Sequence, residues 1–243
     1  MSKLVYKNCK LYSGGYNLSG DVNEMSFEYE FKEVPAFDFS STAEYSIPGL
    51  PKIAYDLKGA VQMNSPTLAV EDILMAQIVT LDNPLTFCAL TGADGDIAYF
   101  TKACGFTYSP GAPVGDLYKY QAKGAGSGEV LVRGQMAATG AKTVTGTGTA
   151  LNLGAVTAAQ KVYAALHVVA ASGAAPTLDV IVESDDAQGF ATPVTRATFA
   201  QQNAISSAFV SAAGPITDTW WRAKWTIGGG GPSFTVAVVI GIQ

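Results

Sequence analysis

Two stretches in the first quarter of the chain alternate between apolar and polar residues. In Met25–Val34 the odd positions begin Met, Phe, Tyr, Phe, and the positions between them are Ser, Glu and Glu. Ile53–Met63 repeats the pattern, with mostly apolar residues at odd positions and Lys, Asp or Gln at several even ones. A period of two is that of a β-strand with one face against a core and the other in water. The pattern predicts two such strands, and we expect them to pair antiparallel.

The connection between these strands, Pro35–Pro51, is about 17 residues long and rich in Ser, Phe, Pro and Gly. A hairpin needs far fewer residues, so a long connection indicates a functional loop. Three aromatic residues lie in it, Phe37, Phe39 and Tyr45. We expect the loop to dock on another surface, and the alternative is a loop folded back on its own domain.

One segment has the spacing of a helix. Ser65 and Pro66 are suited to the cap and the first helical position. Val70, Ile73, Leu74 and Ile78 then recur as a single apolar stripe. The sequence predicts a short helix packed on a sheet.

From Leu85 onward the chain has β character to its end, with short apolar runs separated by Gly, Pro and Asp turn signals. Strands at this spacing without helices between them predict a sandwich or barrel. We therefore expect an all-β fold with one short helix.

The Thr/Gly/Ala-rich stretch Ala137–Ala150 is the predicted domain boundary. It divides the chain into residues 1–140 and a second β-sandwich domain, residues 141–243. The second domain is either a jelly roll or a copy of the first. The alternative is that the stretch is an edge strand, which makes everything after Gly115 a single jelly-roll unit.

The composition favours a protein that associates with other copies. Charged residues make up only 14% of the 243 residues, against about 25% in typical domains, so little like-charge repulsion keeps copies apart. The net charge is −5. Residues 1–122 carry eight Lys/Arg and fourteen Asp/Glu, a net −6, and the remaining residues carry seven and six, a net +1. No basic stripe is present, so we do not expect tight nucleic-acid binding.

The cysteines and the apolar segments indicate the redox environment and the location of the protein. Three cysteines without metal-ligand spacing argue against a disulfide framework and against a zinc site. The start of the chain has no apolar segment of the secretory kind. The longest apolar runs are about ten residues, too short to cross a bilayer as helices. We expect a protein made in the cytoplasm, with no membrane anchor.

Few residues are candidates for chemistry. The single histidine, His167, lies in a predicted strand without a nucleophile motif. Asp185, Asp186 and Glu183 lack the regular oxygen spacing of a calcium loop, and Gly228–Gly231 has the character of a hairpin turn. We expect no enzyme activity, no cofactor and no metal site. Trp220, Trp221 and Trp225 share one strand, and core packing or a subunit contact is favoured over a sugar-binding platform.

The order of elements in the first half resembles the tail tube proteins of long-tailed, siphophage-like bacteriophages. A strand with a polar face, a long loop, a second such strand, a short helix and further strands follow one another as in that family. Gly189–Pro193 (GFATP), Gly214–Trp221 (GPITDTWW) and the following residues 225–228 also resemble segments of phage virion proteins. The resemblance covers the whole chain loosely and includes no signature motif.

The resemblance implies a virion tail protein that self-assembles into stacked rings around a channel through which DNA passes without specific binding. The rings are hexameric if each chain supplies one tube domain and trimeric if it supplies two. Leu18–Val34 and Ile53–Met63 become lumen strands, and Pro35–Pro51 the loop that reaches the next ring. Tape-measure, tail terminator and baseplate proteins are the implied partners. The lumen-facing carboxylates are Glu24, Glu28, Glu30 and Asp56, and the stacking residues are Phe37, Phe39 and Tyr45.

Carboxylates in a channel repel phosphates, which suits a conduit that must not hold DNA. The plain alternative is that they are the solvated face of an ordinary sheet. Two other functions stay open from the sequence. One is a capsid decoration protein that stabilises the head, and the other is a carbohydrate-binding module that uses the tryptophans.

Overall fold

The computed structural model describes residues 7–38, 42–61, 70–128 and 130–243. Within these ranges the chain is nearly all β, with one short helix, as the alternating pattern predicts, and the predicted fold class is confirmed. The strands are β1 (Lys10–Ser13), β2 (Tyr16–Asn17), β3 (Val22–Pro35), β4 (Ser46–Ala60), β5 (Asn83–Cys88), β6 (Ile97–Gly111), β7 (Lys119–Gly126), β8 (Val132–Lys142), β9 (Gly146–Thr147), β10 (Leu151–Asn152), β11 (Lys161–Asp185), β12 (Val194–Thr198), β13 (Ser206–Ala213) and β14 (Trp220–Ile242), and the helix is α1 (Val70–Ala76). That helix is too short to cross a membrane.

The chain divides into two compact units. Unit 1 comprises Met1–Gly20, Asp82–Lys102 and Val132–Gln243, and unit 2 comprises Asp21–Leu81 and Ala103–Leu131. These units do not follow the boundary expected near residue 140. Strand β8 continues across that position and pairs with β14 on both sides of it, so the backbone there is held in a ladder and does not form a linker.

Unit 1 is built on two very long strands. β11 and β14 pair antiparallel from Val162 opposite Ile242 to Asp185 opposite Trp220. The register shifts in the middle, where β11 passes residues 172–177 and β14 passes the glycine run 228–231. The glycines therefore lie inside a strand, and the hairpin turn expected there is wrong.

Side chains from both halves of this ribbon share one core. Alternate residues of β11 before the irregular stretch (162, 164, 166, 168) and after it (178, 180, 182) belong to the same buried cluster. The ribbon therefore turns back on itself at the glycine-rich stretch, which packs one half face to face with the other. Glycine suits such a corner because its backbone can adopt positive φ, as it does at Gly173 and Gly229.

Unit 2 is a four-stranded sheet in the order β3, β4, β7, β6. Its apolar face follows the predicted alternation, with Met25 opposite Leu57 and Leu57 opposite Ala122. The three buried residues of α1 come from the predicted stripe: Val70, Ile73 and Leu74. The fourth, Ile78, lies beyond the helix and forms a bridge with Gly105. Ser65 and Pro66, the predicted helix start, lie outside the described residues.

The predicted loop Pro35–Pro51 is shorter than expected, because Pro35 and Ser46–Pro51 belong to strands. β3 extends to Pro35, and β4 begins at Ser46, directly opposite it. Proline and glycine in residues 48–51 concealed this strand, because proline cannot donate to a ladder. Here it is tolerated because β4 pairs with β7 only from Ala54 onward, which leaves residues 46–53 with β3 as their one partner strand.

Candidate assembly surface

The far ends of β3 and β4 form a two-stranded extension, which we call the arm and define as residues 29–38 and 42–53. Its register runs from Tyr29 opposite Ile53 to Pro35 opposite Ser46, with one irregularity after Phe31. The Ala36 amide then donates to the Tyr45 carbonyl at 2.9 Å, which extends the pairing by one position. The two strands of the arm are thus hydrogen-bonded to each other along its length.

Large apolar side chains of the arm are exposed. Phe31 is 51% exposed and Leu50 83% exposed. Others in the same state are Tyr29, Phe37, Tyr45 and Ile47. Two of the three predicted stacking residues, Phe37 and Tyr45, are therefore accessible, and Phe39 lies outside the described residues. A concentration of exposed large apolar side chains on one short ribbon indicates an interaction surface.

The predicted acidic residues do lie on one face of unit 2, but lysines lie among them. The register places Glu24 opposite Lys58 and Glu30 opposite Lys52. The Lys58 Nζ donates to Glu24 Oε1 at 2.6 Å and the Lys52 Nζ to Glu30 Oε1 at 2.7 Å. These hydrogen-bonded carboxylates raise the pKa of both lysines. The two pairs turn an acidic stripe into a mixed one.

Asp56 is the best anchored of the four carboxylates. Its Oδ2 accepts a hydrogen bond from Gln121 Nε2 at 2.6 Å and lies 3.8 Å from Lys123 Nζ. Both partners come from β7, which lies on the other side of β4 from β3. Glu28 faces Ala54, and among the described residues it forms no ion pair.

Alternation along the sequence indicates Lys52 and Lys58 on this face, but it does not indicate Lys119 and Lys123. Their face becomes evident only from the pairing of β7 with β4, which places Lys123 opposite Asp56 and Gln121 opposite Lys58. Up to Glu30 of β3 the face carries four carboxylates and four lysines: Glu24, Glu28, Glu30, Asp56, Lys52, Lys58, Lys119 and Lys123. By alternation Lys32 continues the same face along β3. The face is balanced in charge, so uniform repulsion of phosphates does not follow from it.

The sheet of unit 2 has open edges. Within the described residues β3 pairs with β4 alone, so the arm has one unpaired side along residues 29–35. At the other edge, Val79 donates its amide to the Gly105 carbonyl at 2.9 Å. Beyond that point, residues 107–111 pair only with β7 in the described part of the chain. Open edges are templates for another strand.

Two of the three tryptophans, Trp221 and Trp225, contradict the sugar-platform alternative, whereas Trp220 is half-buried. Trp221 is fully buried and Trp225 is 7% exposed. The indole N–H of Trp221 donates to the Gly154 carbonyl, and that of Trp225 donates to the Val144 carbonyl, both at 2.9 Å. Both rings belong to the core of unit 1, so they offer no stacking surface for a sugar.

His167 is a structural residue in the interior of unit 1. Its Nδ1 lies 2.6 Å from the Gly14 carbonyl and its Nε2 lies 2.7 Å from the Thr86 hydroxyl. A carbonyl only accepts, so Nδ1 carries the proton and Nε2 accepts from Thr86. Burial lowers the pKa of His167 to about 4, and the neutral ring stacks on Tyr12.

The acidic turn after β11 is satisfied by its own backbone. Asp185 accepts the amides of Ala187 at 3.0 Å and Thr192 at 2.8 Å, which lowers its pKa. Glu183 accepts two hydrogen bonds from Arg222. Within the residues the structure describes, no group of three or more potential ligands could hold a metal ion.

Comparisons with known proteins give weak likenesses. No protein-family model matches the sequence, and no curated protein does. The sheath–tube complex of an extracellular contractile injection system (PVC, extended state) is 12% identical, with a TM-score of 0.42 over 54% of this chain and 90% of that one. The sheath/tube terminator of that system is 10% identical, with a TM-score of 0.43 over 55% and 97%. The SPP1 Dit protein (gp 19.1), described as a hub adsorption apparatus of phages that infect Gram-positive hosts, is 10% identical, with a TM-score of 0.40 over 98% and 100%. These values are too low to assign a function to this chain.

Proposed function

We propose that the protein is a structural component of a phage tail, whose copies join side by side through unit 2 into rings. The rings stack into a hollow tube through which DNA passes. The observation that carries the proposal is the sheet of unit 2. Within the described residues, the outer sides of β3 and of residues 107–111 of β6 have no partner strand, and the apolar arm lies at the β3 edge.

The open edges support lateral association. The four strands alternate in direction. When copies are arranged around an axis in the same orientation, β3 of one copy therefore meets β6 of the next antiparallel. Closing such a ring removes every edge, which is the stable solution for an exposed sheet. Unit 2 supplies one sheet per chain, so we propose the hexameric ring over the trimeric one.

The arm supports stacking. Its exposed aromatic residues would lose contact with water on docking against the next ring, at about 25 cal/mol for each square ångström of apolar surface buried. Tape-measure, terminator and baseplate proteins are the partners that a tail tube requires.

The polar face also suits a DNA channel, although it does not repel phosphates as the sequence suggested. Lysines bound to Glu24 and Glu30 are less available to phosphates than free lysines. We propose that the face lines the channel and neither repels nor holds DNA strongly.

Electron microscopy of the purified protein tests this function. The wild type is expected to form hollow tubes with a regular axial repeat. Dispersed particles at every concentration, or particles that bind only to capsids, would overturn the proposal and favour a head decoration protein.

The arm has its own test, in which residues 37–44 are replaced by Asn-Gly. Because Ala36 and Tyr45 are already paired, a two-residue turn closes the ribbon without changing its register. We expect rings that do not stack. A matched control is Val144→Ser, which removes an exposed apolar side chain from unit 1 (72% exposed) and should leave tubes unchanged. Full-length tubes from the shortened arm would contradict its role.

A further inference from the structure

Charge is unevenly distributed across the polar face of unit 2. On this face β3, at one edge, carries three carboxylates, at positions 24, 28 and 30, and one lysine, at position 32. β7, next to the other edge, carries Lys119 and Lys123 with Gln121 between them and no carboxylate. One side of the sheet is therefore acidic and the other basic.

One charge on each side is left over after the internal pairs are formed. Glu24, Glu30 and Asp56 each have a lysine within 4 Å. Glu28 and Lys119 form no ion pair within the described residues, and each lies opposite an alanine of β4. Glu28 does interact electrostatically with Lys52, whose ammonium group is already bound to Glu30.

The strand between the lysines and the open edge carries only small residues on this face. Thr107 lies opposite Lys123, Ser109 opposite Gln121, and Gly111 opposite Lys119. A strand added at the edge of β6 would lie two strand spacings, about 9.6 Å, from β7. This separation exceeds that of diagonal neighbours on adjacent strands, about 7–8 Å, so the contact needs two long side chains that lean over β6. No bulky side chain of β6 stands between them.

We infer that β3 of a second copy adds to residues 107–111 of β6 and that Glu28 of one copy pairs with Lys119 of the next. The occupant of this edge is a second copy of the chain, because the acidic edge strand is the complement of the basic side. The inference rests on the proposed self-assembly and specifies which charges direct it. Because a ring repeats the contact at every junction, the pairs set both the register of the two strands and the salt dependence of assembly.

Charge reversal tests the pairing. Glu28→Lys leaves lysine at both sites, and Lys119→Glu leaves glutamate at both, so each variant alone places like charges at every junction. We expect the protein concentration needed for assembly to rise about fivefold or more in each. In an equal mixture of the two variants, alternating copies place opposite charges at every junction, and assembly should return to near the wild-type level. The double variant should also assemble, because it restores opposite charges within a single chain.

The readout is sedimentation velocity with electron microscopy, at low and at high salt. High salt should weaken wild-type assembly and relieve the defect of each single variant. Both side chains are exposed, so circular dichroism should show an unchanged fold. Lys161→Glu, an exposed reversal in unit 1, is the control for net charge and should assemble normally.

The outcomes separate the two proposals. If the wild type forms tubes but the single variants assemble equally well, or their mixture fails to rescue assembly, the Glu28–Lys119 pairing is wrong and the tube function stands. If the wild type forms no ring or tube under any condition, the proposed function is wrong and the pairing with it.

Discussion

The two units treat their apolar and charged side chains in opposite ways. Among the described residues, thirteen of the sixteen exposed large hydrophobic side chains belong to unit 2, the smaller unit, and only Val144, Val194 and Ile205 belong to unit 1. In unit 1 even charged groups are buried with partners, as Glu183 is with Arg222. Unit 1 buries its large apolar side chains, whereas unit 2 leaves many of them exposed to water. Changes in unit 1 should therefore alter stability, and changes in unit 2 should alter assembly.

The largest effect should come from the core of unit 1. Trp221→Ala removes a fully buried indole and its hydrogen bond to Gly154, so the free energy of unfolding should fall by about 3–5 kcal/mol. Phe31→Ala, in the exposed arm, should change stability by less than about 0.5 kcal/mol yet prevent tubes from forming. Denaturant unfolding and electron microscopy of both variants check the contrast. A large loss of stability in Phe31→Ala would contradict it.

Acid should destabilise unit 1 through His167. Its pKa of about 4 in the folded protein lies below the 6.5 of an exposed histidine. The unfolded chain therefore binds a proton between these values that the folded chain does not, and stability falls as the pH decreases from 6.5 to 4. At pH 4 the free energy of unfolding has decreased by about 3 kcal/mol, and above pH 6.5 His167 causes no decrease.

The measurement is the free energy of unfolding against pH for the wild type and for His167→Gln. The variant should lose most of the slope in this window. Carboxylates also titrate nearby, and Asp186 acts in the opposite sense because the hydrogen bond with Asp185 raises its pKa. These groups are common to both proteins, so the difference isolates His167. If His167→Gln does not fold, Thr86→Val, which removes the hydroxyl bonded to Nε2, serves as the comparison. Equal slopes would show that His167 is not the source.

Buried and exposed ion pairs offer a third contrast. Arg222→Met leaves Glu183, whose side chain is 4% exposed, with Lys224 at 3.3 Å as its remaining partner. The cost should be about 2–3 kcal/mol, since a buried carboxylate loses its two best hydrogen bonds. Lys52→Met removes an exposed pair in unit 2 and should leave the unfolding midpoint unchanged. Equal effects in the two variants would mean that the units are not different in this respect.

Much of the fold could be predicted from period-two alternation, because a half-buried strand carries its pattern locally. Met25, Phe27 and Leu57 were assigned to the apolar face in this way. The extent of β4 could not be predicted in this way. Pro48 and Pro51 argue against a strand unless it is known that this part of β4 pairs on one side only. The glycine corner at residues 228–231 was missed for a similar reason, since a glycine run is compatible with a turn or with a bent strand.

The candidate site was predicted in part. The position of the carboxylates on one face follows from alternation, and so does the exposure of Phe37 and Tyr45 in a long connection. That Lys58 and Lys52 bind two of the carboxylates depends on which residues lie opposite one another, and register is a property of the pair of strands. Lys119 and Lys123 were further out of reach, because nothing local to β7 says that it pairs with β4.

The smallest expected effect concerns two glycines whose surroundings differ. Gly229, in the corner of unit 1, has φ of +109°, and an added Cβ would lie 2.7 Å from the Ala175 carbonyl oxygen. Gly229→Ala should therefore cost about 1–3 kcal/mol.

Gly111, on the open edge of unit 2, has no atom within 4 Å of an added Cβ and no positive φ. Gly111→Ala should be within about 0.5 kcal/mol of the wild type, because its only folded-state change is a methyl group in open space. The same methyl group lies on the strand between Lys119 and the edge where a second copy is proposed to bind, and a methyl is small enough for a neighbouring strand to accept. Gly111→Ala should therefore leave both folding and assembly intact, and a loss of assembly with stability unchanged would mean that the backbones at this edge approach more closely than an added strand requires.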